Sequence, residues 1–193
     1  MAMPRAYAIG MTRAPSSRLG PADWLSAGRD ALCDTGPDAL KAEPLAVRLG
    51  VSKGSFYWHF RDVPAFHVAL LAGWETDAVS RLSDPLADQP TPTARLRALA
   101  QTLAGDTTGA AVIERAVRAW SQSHVGARGA VDRVDQARLT LVQDLLSETG
   151  IGNPEMARLL YAACVGMTQL DAAGPNGRAE AIGSLVDLVL ALR

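Results

Sequence analysis

The chain has 193 residues, of which 48% are hydrophobic and 20% are charged, and its formal net charge is −1. This composition is typical of a folded globular protein with one large or two small domains, and it excludes a fibrous or disordered chain. No apolar run approaches the roughly 18 residues of a membrane span, and the N-terminal segment lacks the apolar core of a signal peptide, so we expect a cytoplasmic protein with no membrane partner.

Positive charge is concentrated at the start of the chain. Residues 1–62 hold eight Lys or Arg against six Asp or Glu, whereas residues 63–193 hold eleven against fourteen. Residues 1–19 carry Arg5, Arg13 and Arg18 without an acidic residue or a hydrophobic period, and we expect a flexible basic arm there. Two interpretations stay open: a leader without a role, or an arm that follows phosphates or enters the minor groove of DNA.

The first helix is predicted from Pro21 to Thr35. Proline is favoured in the first turn of a helix, and Gly36-Pro37 ends it. One face of this helix carries Trp24, Leu25, Gly28, Ala31 and Leu32. We expect that face to cover the two helices that follow and to complete a three-helix module. Cys33 and Cys164 are too few for a disulfide framework, and both are expected to be core thiols.

Two short helices joined by a turn are predicted within residues 43–60. The first begins near Glu43 and places Leu45 and Leu49 at i,i+4 on one face, and Gly50 can adopt the positive φ that ends it. The Ser52 hydroxyl is expected to cap the second helix. This is the pattern of a helix-turn-helix, whose second helix enters the major groove of DNA.

The second helix of the motif has an apolar side and a polar side. Phe56 and Phe60 recur at i,i+4 and are expected to face inward. The residues left to meet a major groove are Lys53, Ser55, Tyr57, Trp58 and His59.

The run Gly-Val-Ser-Lys-Gly-Ser-Phe-Tyr-Trp-His-Phe at residues 50–60, followed by Arg61-Asp62 and a new helix, resembles the N-terminal signature of the TetR (tetracycline-repressor-like) transcriptional regulators. The resemblance implies an all-α fold, with an N-terminal three-helix helix-turn-helix DNA-binding domain and a C-terminal helical domain for ligand binding and dimerisation. It also implies contacts with double-stranded DNA. The motif and the resemblance together give as DNA-binding candidates Arg48, Ser52, Lys53, Gly54, Ser55, Tyr57, Trp58 and His59.

Two positions depart from the family pattern and remove positive charge. At the start of the second helix many members have a residue that donates to DNA, whereas this chain has Glu43. At the start of the fourth helix the family usually has a lysine that binds the backbone, and here the residue is Val63. We expect weaker DNA binding unless Arg48, Arg61 and the arm compensate.

The whole chain is predicted to divide into four segments, of which the last two are mainly helical. Residues 1–19 form the arm, 20–63 the DNA-binding domain, 64–92 a connecting helix and linker, and 93–193 the effector-binding and dimerisation domain. The connecting helix is predicted over 64–82, followed by a breaker-rich linker. Further helices are predicted over 93–104, 109–123, 128–149, 154–172 and 178–192. The Asp and Arg residues of 128–149, such as Asp135 and Arg138, are interpreted as a solvated face.

The last two predicted helices are apolar on more than one side. Such helices must be buried against two neighbours, and a second copy of the chain can provide one of them. We therefore expect a homodimer through a four-helix bundle, which charged residues at Leu185 and Val189 should abolish. A monomer that buries both helices internally is the alternative.

No enzyme, cofactor or metal site is expected, since the three histidines form no i,i+4 pair and no glycine-rich phosphate loop follows a strand. TetR-like proteins bind their signal among the C-terminal helices, which implies an unidentified small-molecule effector here. The candidates are Trp120, His124, Tyr161, Met167, Gln169 and Asp171. For each residue singly, core packing or, for His124, a helix-end position is the competing interpretation.

Two functional hypotheses follow. The first is a transcriptional repressor that a small-molecule effector releases from a palindromic operator. The second, motivated by Glu43 and Val63, is a ligand-binding or protein-interaction dimer with weakened DNA binding.

Overall fold

The computed structural model describes residues 19–105, 109–170 and 174–192. Within these ranges the chain forms ten α-helices and no strand, so the predicted all-α fold is confirmed. The helices are α1 (Pro21–Asp34), α2 (Ala42–Leu49), α3 (Lys53–Tyr57), α4 (Val63–Ser80), α5 (Ser83–Ala87), α6 (Pro92–Ala104), α7 (Ala110–Ser121), α8 (Val125–Glu148), α9 (Pro154–Met167) and α10 (Gly174–Leu190). The basic arm, apart from Leu19, and Asp171 lie outside the described residues.

Several helix boundaries differ from the prediction: α9 ends at Met167 instead of residue 172, α10 begins at Gly174 instead of residue 178, and two further differences have a visible cause. α5 occupies part of the segment that was predicted to be a linker. Leu82 is buried and Leu86 packs beside it in the same core. The burial of these two leucines, one helical turn apart, stabilises the helix although Pro85 lies between them. α8 begins at Val125, three residues early, because the Nδ1 atom of His124 accepts a hydrogen bond from the Ala127 N–H at 3.1 Å. The His124 side chain therefore caps α8.

The buried side chains form two groups. The first joins α1, α2, α3 and α4 to the end of α7 and the first half of α8, and Trp24, Phe56 and Phe66 are fully buried in it. The second joins α6, the second half of α8, α9 and α10. α4 therefore packs with the helix-turn-helix at one end and along α8 with the C-terminal helices.

The two cysteines lie in different environments. Cys164 is buried, and burial raises the pKa of its thiol to about 12. Cys33 is only half-buried, so its assignment as a core thiol is wrong, because the α1 face that holds it reaches the surface. Burial and the neighbouring Asp34 and Asp30 carboxylates raise the Cys33 pKa as well.

Glu114 of α7 is surrounded by three arginines. Arg138 of α8 donates to both of its carboxylate oxygens, at 2.7 and 3.0 Å, and Arg81 and Arg118 donate at 2.8 and 3.0 Å. Burial raises the pKa of Glu114, but the Arg138 hydrogen bonds and the three guanidinium charges outweigh it and lower the pKa to about 2. Arg138 is only 2% exposed. The predicted solvated face is therefore wrong at Arg138, since its partner lies on another helix.

An apolar surface runs along α9 and α10. Its exposed members include Leu159, which is 65% exposed, and Leu188, which is 63% exposed. A groove of about 470 Å³ on this surface is lined by Ala163, Gly166, Met167, Leu170, Ala181, Ile182 and Leu185. Val189 is only 4% exposed, so a charge there would disrupt the core instead of an interface, and its assignment to the partner-facing side is wrong.

Candidate nucleic-acid interface

Aromatic packing holds the recognition helix in place. α3 has only five residues, too few to be stable without tertiary contacts. The Phe56 ring packs edge-on against Trp24 of α1, with 5.4 Å between ring centroids, and against Phe66 of α4 at 5.5 Å. Phe60 completes the group at 5.0 Å from Phe66. α1 and α4 thus fix the outer face that α3 presents.

The turn between α2 and α3 has three residues, as predicted. Gly50 ends α2 at φ 67° and ψ 32°, in the left-handed region that a side chain would strain. The Val51 N–H then donates to the Ala46 carbonyl at 3.0 Å, as in a Schellman helix end. The predicted Ser52 cap is wrong, because the Ser52 hydroxyl lies 3.1 Å from the Ser55 hydroxyl and makes no side-chain cap.

Most of the predicted DNA-binding residues share one surface at α3. The exposed residues are Ser52, Lys53, Gly54, Tyr57 and Trp58, whereas Ser55 and His59 are half-buried. Trp58 is 88% exposed and Tyr57 is 51% exposed, as an aromatic contact surface requires. The Arg48 guanidinium is bound by Asp34 at the end of α1, at 2.5 Å. Contact with DNA stays a prediction for all eight residues.

Every lysine and arginine of residues 19–63 has an acidic partner. The pairs are Arg29–Asp77, Lys41–Asp38, Arg48–Asp34, Lys53–Glu43 and Arg61–Asp62. These residues hold five basic and six acidic side chains, so the positive excess of residues 1–62 comes from the arm. Exposed ion pairs contribute only about 0–1 kcal/mol each, and a DNA phosphate can replace the carboxylate in such a pair.

A groove of about 810 Å³ lies between α2, α3 and the start of α4. It is lined by Lys41, Ala42, Glu43, Pro44, Val47, Lys53, Tyr57 and Val63. Lys41 and Val47 were not among the predicted site residues. Val47 is 76% exposed. Its exposure could have been predicted from the sequence, because Val47 lies off the helix face that carries Leu45 and Leu49. Glu43 and Val63 thus share one groove with Lys53 and Tyr57.

The start of α4 is capped by Asp62, which precedes Val63. The Asp62 carboxylate accepts a hydrogen bond from the Ala65 N–H at 2.7 Å. This bond and the Arg61 side chain lower the pKa of Asp62. The cap fixes the end of α4 that borders the groove.

Two of the predicted effector-binding residues lie at the end of α7. The rings of Trp120 and His124 are 4.6 Å apart, and His67 of α4 lies 5.0 Å from Trp120 and 5.5 Å from His124. The His67 Nε2–H donates to the Leu40 carbonyl at 2.9 Å, which connects this cluster to the helix-turn-helix. Burial and, to a smaller extent, His124 lower the pKa of His67, although the Leu40 hydrogen bond opposes them.

The other predicted effector-binding residues lie on and after α9. The Tyr161 hydroxyl donates to Asp135 at 2.7 Å, and burial raises its pKa to about 12. Met167 lines the apolar groove between α9 and α10, and Gln169 is exposed beside Thr168. Effector binding by all of these residues stays a prediction.

The described part of the chain contains neither a metal-binding group nor a membrane-spanning helix. No group of three or more His, Cys, Asp or Glu there could hold a metal ion. None of its helices is both long and apolar enough to cross a lipid bilayer.

Comparison with known proteins points to one family. Residues 25–62 match the model described as "Bacterial regulatory proteins, tetR family". Over 72 residues the chain is 38% identical to the class A tetracycline repressor protein from transposon 1721 of Escherichia coli. That match covers 35% of this chain and 33% of the tetracycline repressor. The chain therefore spans about a third of the length of this curated relative.

Solved structures resemble the chain over nearly its whole length. A transcriptional regulator from Rhodococcus sp. Rha1 is 22% identical, with a TM-score of 0.74 over 90% of this chain and 97% of that one. A regulator from Saccharomonospora viridis in complex with choline is 13% identical, with a TM-score of 0.72 over 89% of this chain and 95% of that one. At these identities the likenesses establish the fold alone. Residues 25–62 of the chain thus carry the sequence signature of the tetR family of bacterial regulatory proteins.

Proposed function

We propose that the protein is a DNA-binding transcriptional regulator, a homodimeric repressor that a small-molecule effector releases from a pseudo-palindromic operator. The observation that carries this proposal is the outer face of α3, where Lys53, Tyr57 and Trp58 are exposed on a helix that a buried aromatic group holds rigidly. A rigid helix with exposed donors and aromatic side chains suits the major groove, where base edges are read.

The dimer is supported by the apolar surface of α9 and α10. Exposed leucines on two adjacent helices favour burial against another surface, and a two-fold pairing of both helices forms a four-helix bundle. Two recognition helices related by such an axis read half-sites about 34 Å apart, or a multiple of that distance. The operator is therefore expected to be an inverted repeat.

The effector is expected to act through α4. This helix begins at the DNA-facing groove and packs along α8, so a shift of α4 would displace the start of the helix beside DNA. A neighbour of the same fold was solved with choline, so the fold accommodates a small organic molecule. Because binding equilibria are reciprocal, DNA should weaken effector binding by the same factor by which the effector weakens DNA binding.

A second candidate function is a ligand-binding or protein-interaction dimer with weakened DNA binding. The observation that favours it is the pairing of every cation in residues 19–63 with an acid, including Lys53 with Glu43. A surface of paired charges attracts phosphate less than one of free lysines.

A gel shift with the DNA upstream of the protein's own coding region separates the two functions. The repressor predicts a discrete complex that survives excess unrelated DNA and is lost when one half-site is scrambled. The matched variant Tyr57→Phe removes one hydroxyl without changing the packing surface, and it should weaken the complex. Binding that is absent, or equal on operator and scrambled DNA, would favour the second function.

A further inference from the structure

A cavity lies where the helix-turn-helix meets the C-terminal helices. Its volume is about 300 Å³, at the lower end of the range of small-molecule sites. α1 contributes Arg29, α4 contributes Trp74 and Asp77, and α7 contributes Ile113, while Arg81 follows directly after α4. We call it the α1–α4–α7 cavity. It combines an apolar wall with two guanidinium groups from different helices.

Both arginines of this cavity have unused hydrogen-bond donors. The Nε atoms of Arg29 and Arg81 are buried, and within the described part of the chain neither has a hydrogen-bond acceptor. An arginine carries five N–H donors in a fixed plane, and a buried donor without an acceptor is unfavourable. Both arginines line the cavity, so an anionic group placed there would meet the positive charge of two guanidinium groups.

The present partners of the two arginines can accommodate such an acceptor. Arg29 binds Asp77 at 2.9 Å, but the Asp77 side chain is 62% exposed and can turn into water at little cost. Arg81 shares Glu114 with Arg118 and Arg138, so Glu114 stays paired if Arg81 turns to another anion. Among the described residues that form these ion pairs, four guanidinium groups face three carboxylates, Asp77, Glu114 and Asp135.

We propose that the α1–α4–α7 cavity binds a small amphipathic monocarboxylate, an aromatic or branched aliphatic acid. The carboxylate accepts hydrogen bonds from Arg29 and Arg81, and the apolar part lies against Trp74 and Ile113. Charge decides the class, because a neutral ligand would leave Asp77 on Arg29 and gain only the apolar contact. The cavity volume limits the ligand to about the size of benzoate or phenylacetate.

The regulatory part of this inference rests on the proposed function. A carboxylate that takes Arg29 from Asp77 removes an ion pair between α1 and α4. α1 also carries Trp24, which supports Phe56 of the recognition helix. Loosening α1 from α4 therefore lowers DNA affinity, and the ligand acts as an effector.

The test compares acids with their uncharged amides on the full-length protein. Benzoate and phenylacetate are titrated calorimetrically up to about 10 mM, beside benzamide and phenylacetamide. The acids should bind saturably and the amides at least about tenfold more weakly. Arg29→Met and Arg81→Met should each weaken the acids about tenfold. Arg97→Met, which removes an exposed arginine paired with Asp187, is the control and should leave binding unchanged.

The proposal is overturned by equal affinity for acids and amides, or by acid binding that survives both cavity substitutions. Absence of saturable acid binding would do the same. DNA binding is measured separately by gel shift. Acid binding that depends on Arg29, in a protein that binds no operator, would refute the proposed function alone. Operator binding without acid binding would refute the ligand site alone.

Discussion

The Lys53 ammonium group lies 3.6 Å from the Glu43 carboxylate, so the first residue of the recognition helix faces an acid on α2. Both side chains are exposed, at 57% and 74%, and both line the groove that borders α4. A phosphate approaching Lys53 must therefore compete with Glu43 and is also repelled by it. The acid that departs from the family pattern acts directly on the predicted DNA contact.

Replacing this acid should strengthen DNA binding. In Glu43→Gln the side chain keeps its size, loses its charge and leaves Lys53 free for phosphate. We expect a gain of a few-fold in affinity, since an exposed pair is worth up to about 1 kcal/mol. Fluorescence anisotropy with a labelled duplex measures the gain. Thermal stability should change by no more than about 0.5 kcal/mol, because both groups are at the surface.

The matched control is Glu155→Gln. Glu155 also pairs with a cation, Arg158 at 2.6 Å, but it lies on α9. The Glu155→Gln variant therefore changes the net charge by the same amount as Glu43→Gln, but far from the groove. Equal gains for the two variants would mean that net charge, and not the Lys53 pair, governs affinity.

Val63→Lys should restore a backbone contact. Val63 is the first residue of α4 and lines the same groove, so an ammonium group there lies beside the expected path of the phosphates. Because phosphate contacts carry no base information, affinity should rise equally on operator and unrelated DNA. One more neutralised phosphate should steepen the log–log salt dependence by about 0.9.

Val63 is half-buried against the N-terminal core, so the lysine must extend its charge outward along its apolar stem. A melting curve checks that the fold is intact. Val79→Lys adds the same charge to the same helix about 24 Å away and should leave the salt slope unchanged. An unchanged slope in a folded Val63→Lys protein would show that this end of α4 does not face DNA.

The helix-turn-helix could be predicted because its signals are local. Gly50, which ends α2, and the Phe56–Phe60 spacing are read directly from neighbouring residues, and both have their predicted structural roles. The five-residue α5 could not be predicted in the same way. Its sequence contains Ser83, Asp84 and Pro85, which are more frequent in turns than within helices. Its stability comes from Leu82 and Leu86, which pack in the second core. Only the folded chain supplies that partner.

The ion pairs between helices could not be predicted from neighbouring residues either. Arg48 and Asp34 are 14 residues apart, and Arg138 and Glu114 are 24 apart, so no i,i+4 rule connects them. A sequence reading assigns such residues to solvent, whereas the structure pairs them across helices. The predicted DNA-binding set therefore includes the cations of this surface but not the carboxylates that pair with them.

Charge on the α9–α10 apolar surface should break the dimer. Leu188→Glu places a carboxylate at a residue that is exposed in the protomer, so the fold should survive while the interface loses an apolar contact and gains a charge to desolvate. We expect a monomer by light scattering at micromolar concentration and a loss of tight operator binding. Val125→Glu is the control, since Val125 is more exposed still and lies at the start of α8. A Leu188→Glu dimer would place the interface elsewhere.

Glu114 should control stability in acid. Its pKa in the folded protein, about 2, lies below its ordinary value of 4.5, so the folded state favours the carboxylate. The resulting stability is fully present above about pH 4.5 and is lost as the pH falls towards 2. Glu114→Gln should lower the free energy of unfolding at pH 7 by on the order of 3 kcal/mol, because it leaves buried Arg138 without its anion. It should also flatten the dependence of stability on pH in that window.

Arg138→Met separates the network from simple packing at this position. The variant keeps Glu114 between Arg81 and Arg118, so its loss of stability at pH 7 should be smaller than that of Glu114→Gln. Its Glu114 pKa should rise, because the largest favourable contribution to the carboxylate is gone. Denaturant unfolding at a series of pH values should then show the acid-side loss beginning at a higher pH than in the unmodified protein. If both variants follow the unmodified pH profile, the charge on Glu114 does not stabilise the fold, and the three arginines around it are held by packing alone.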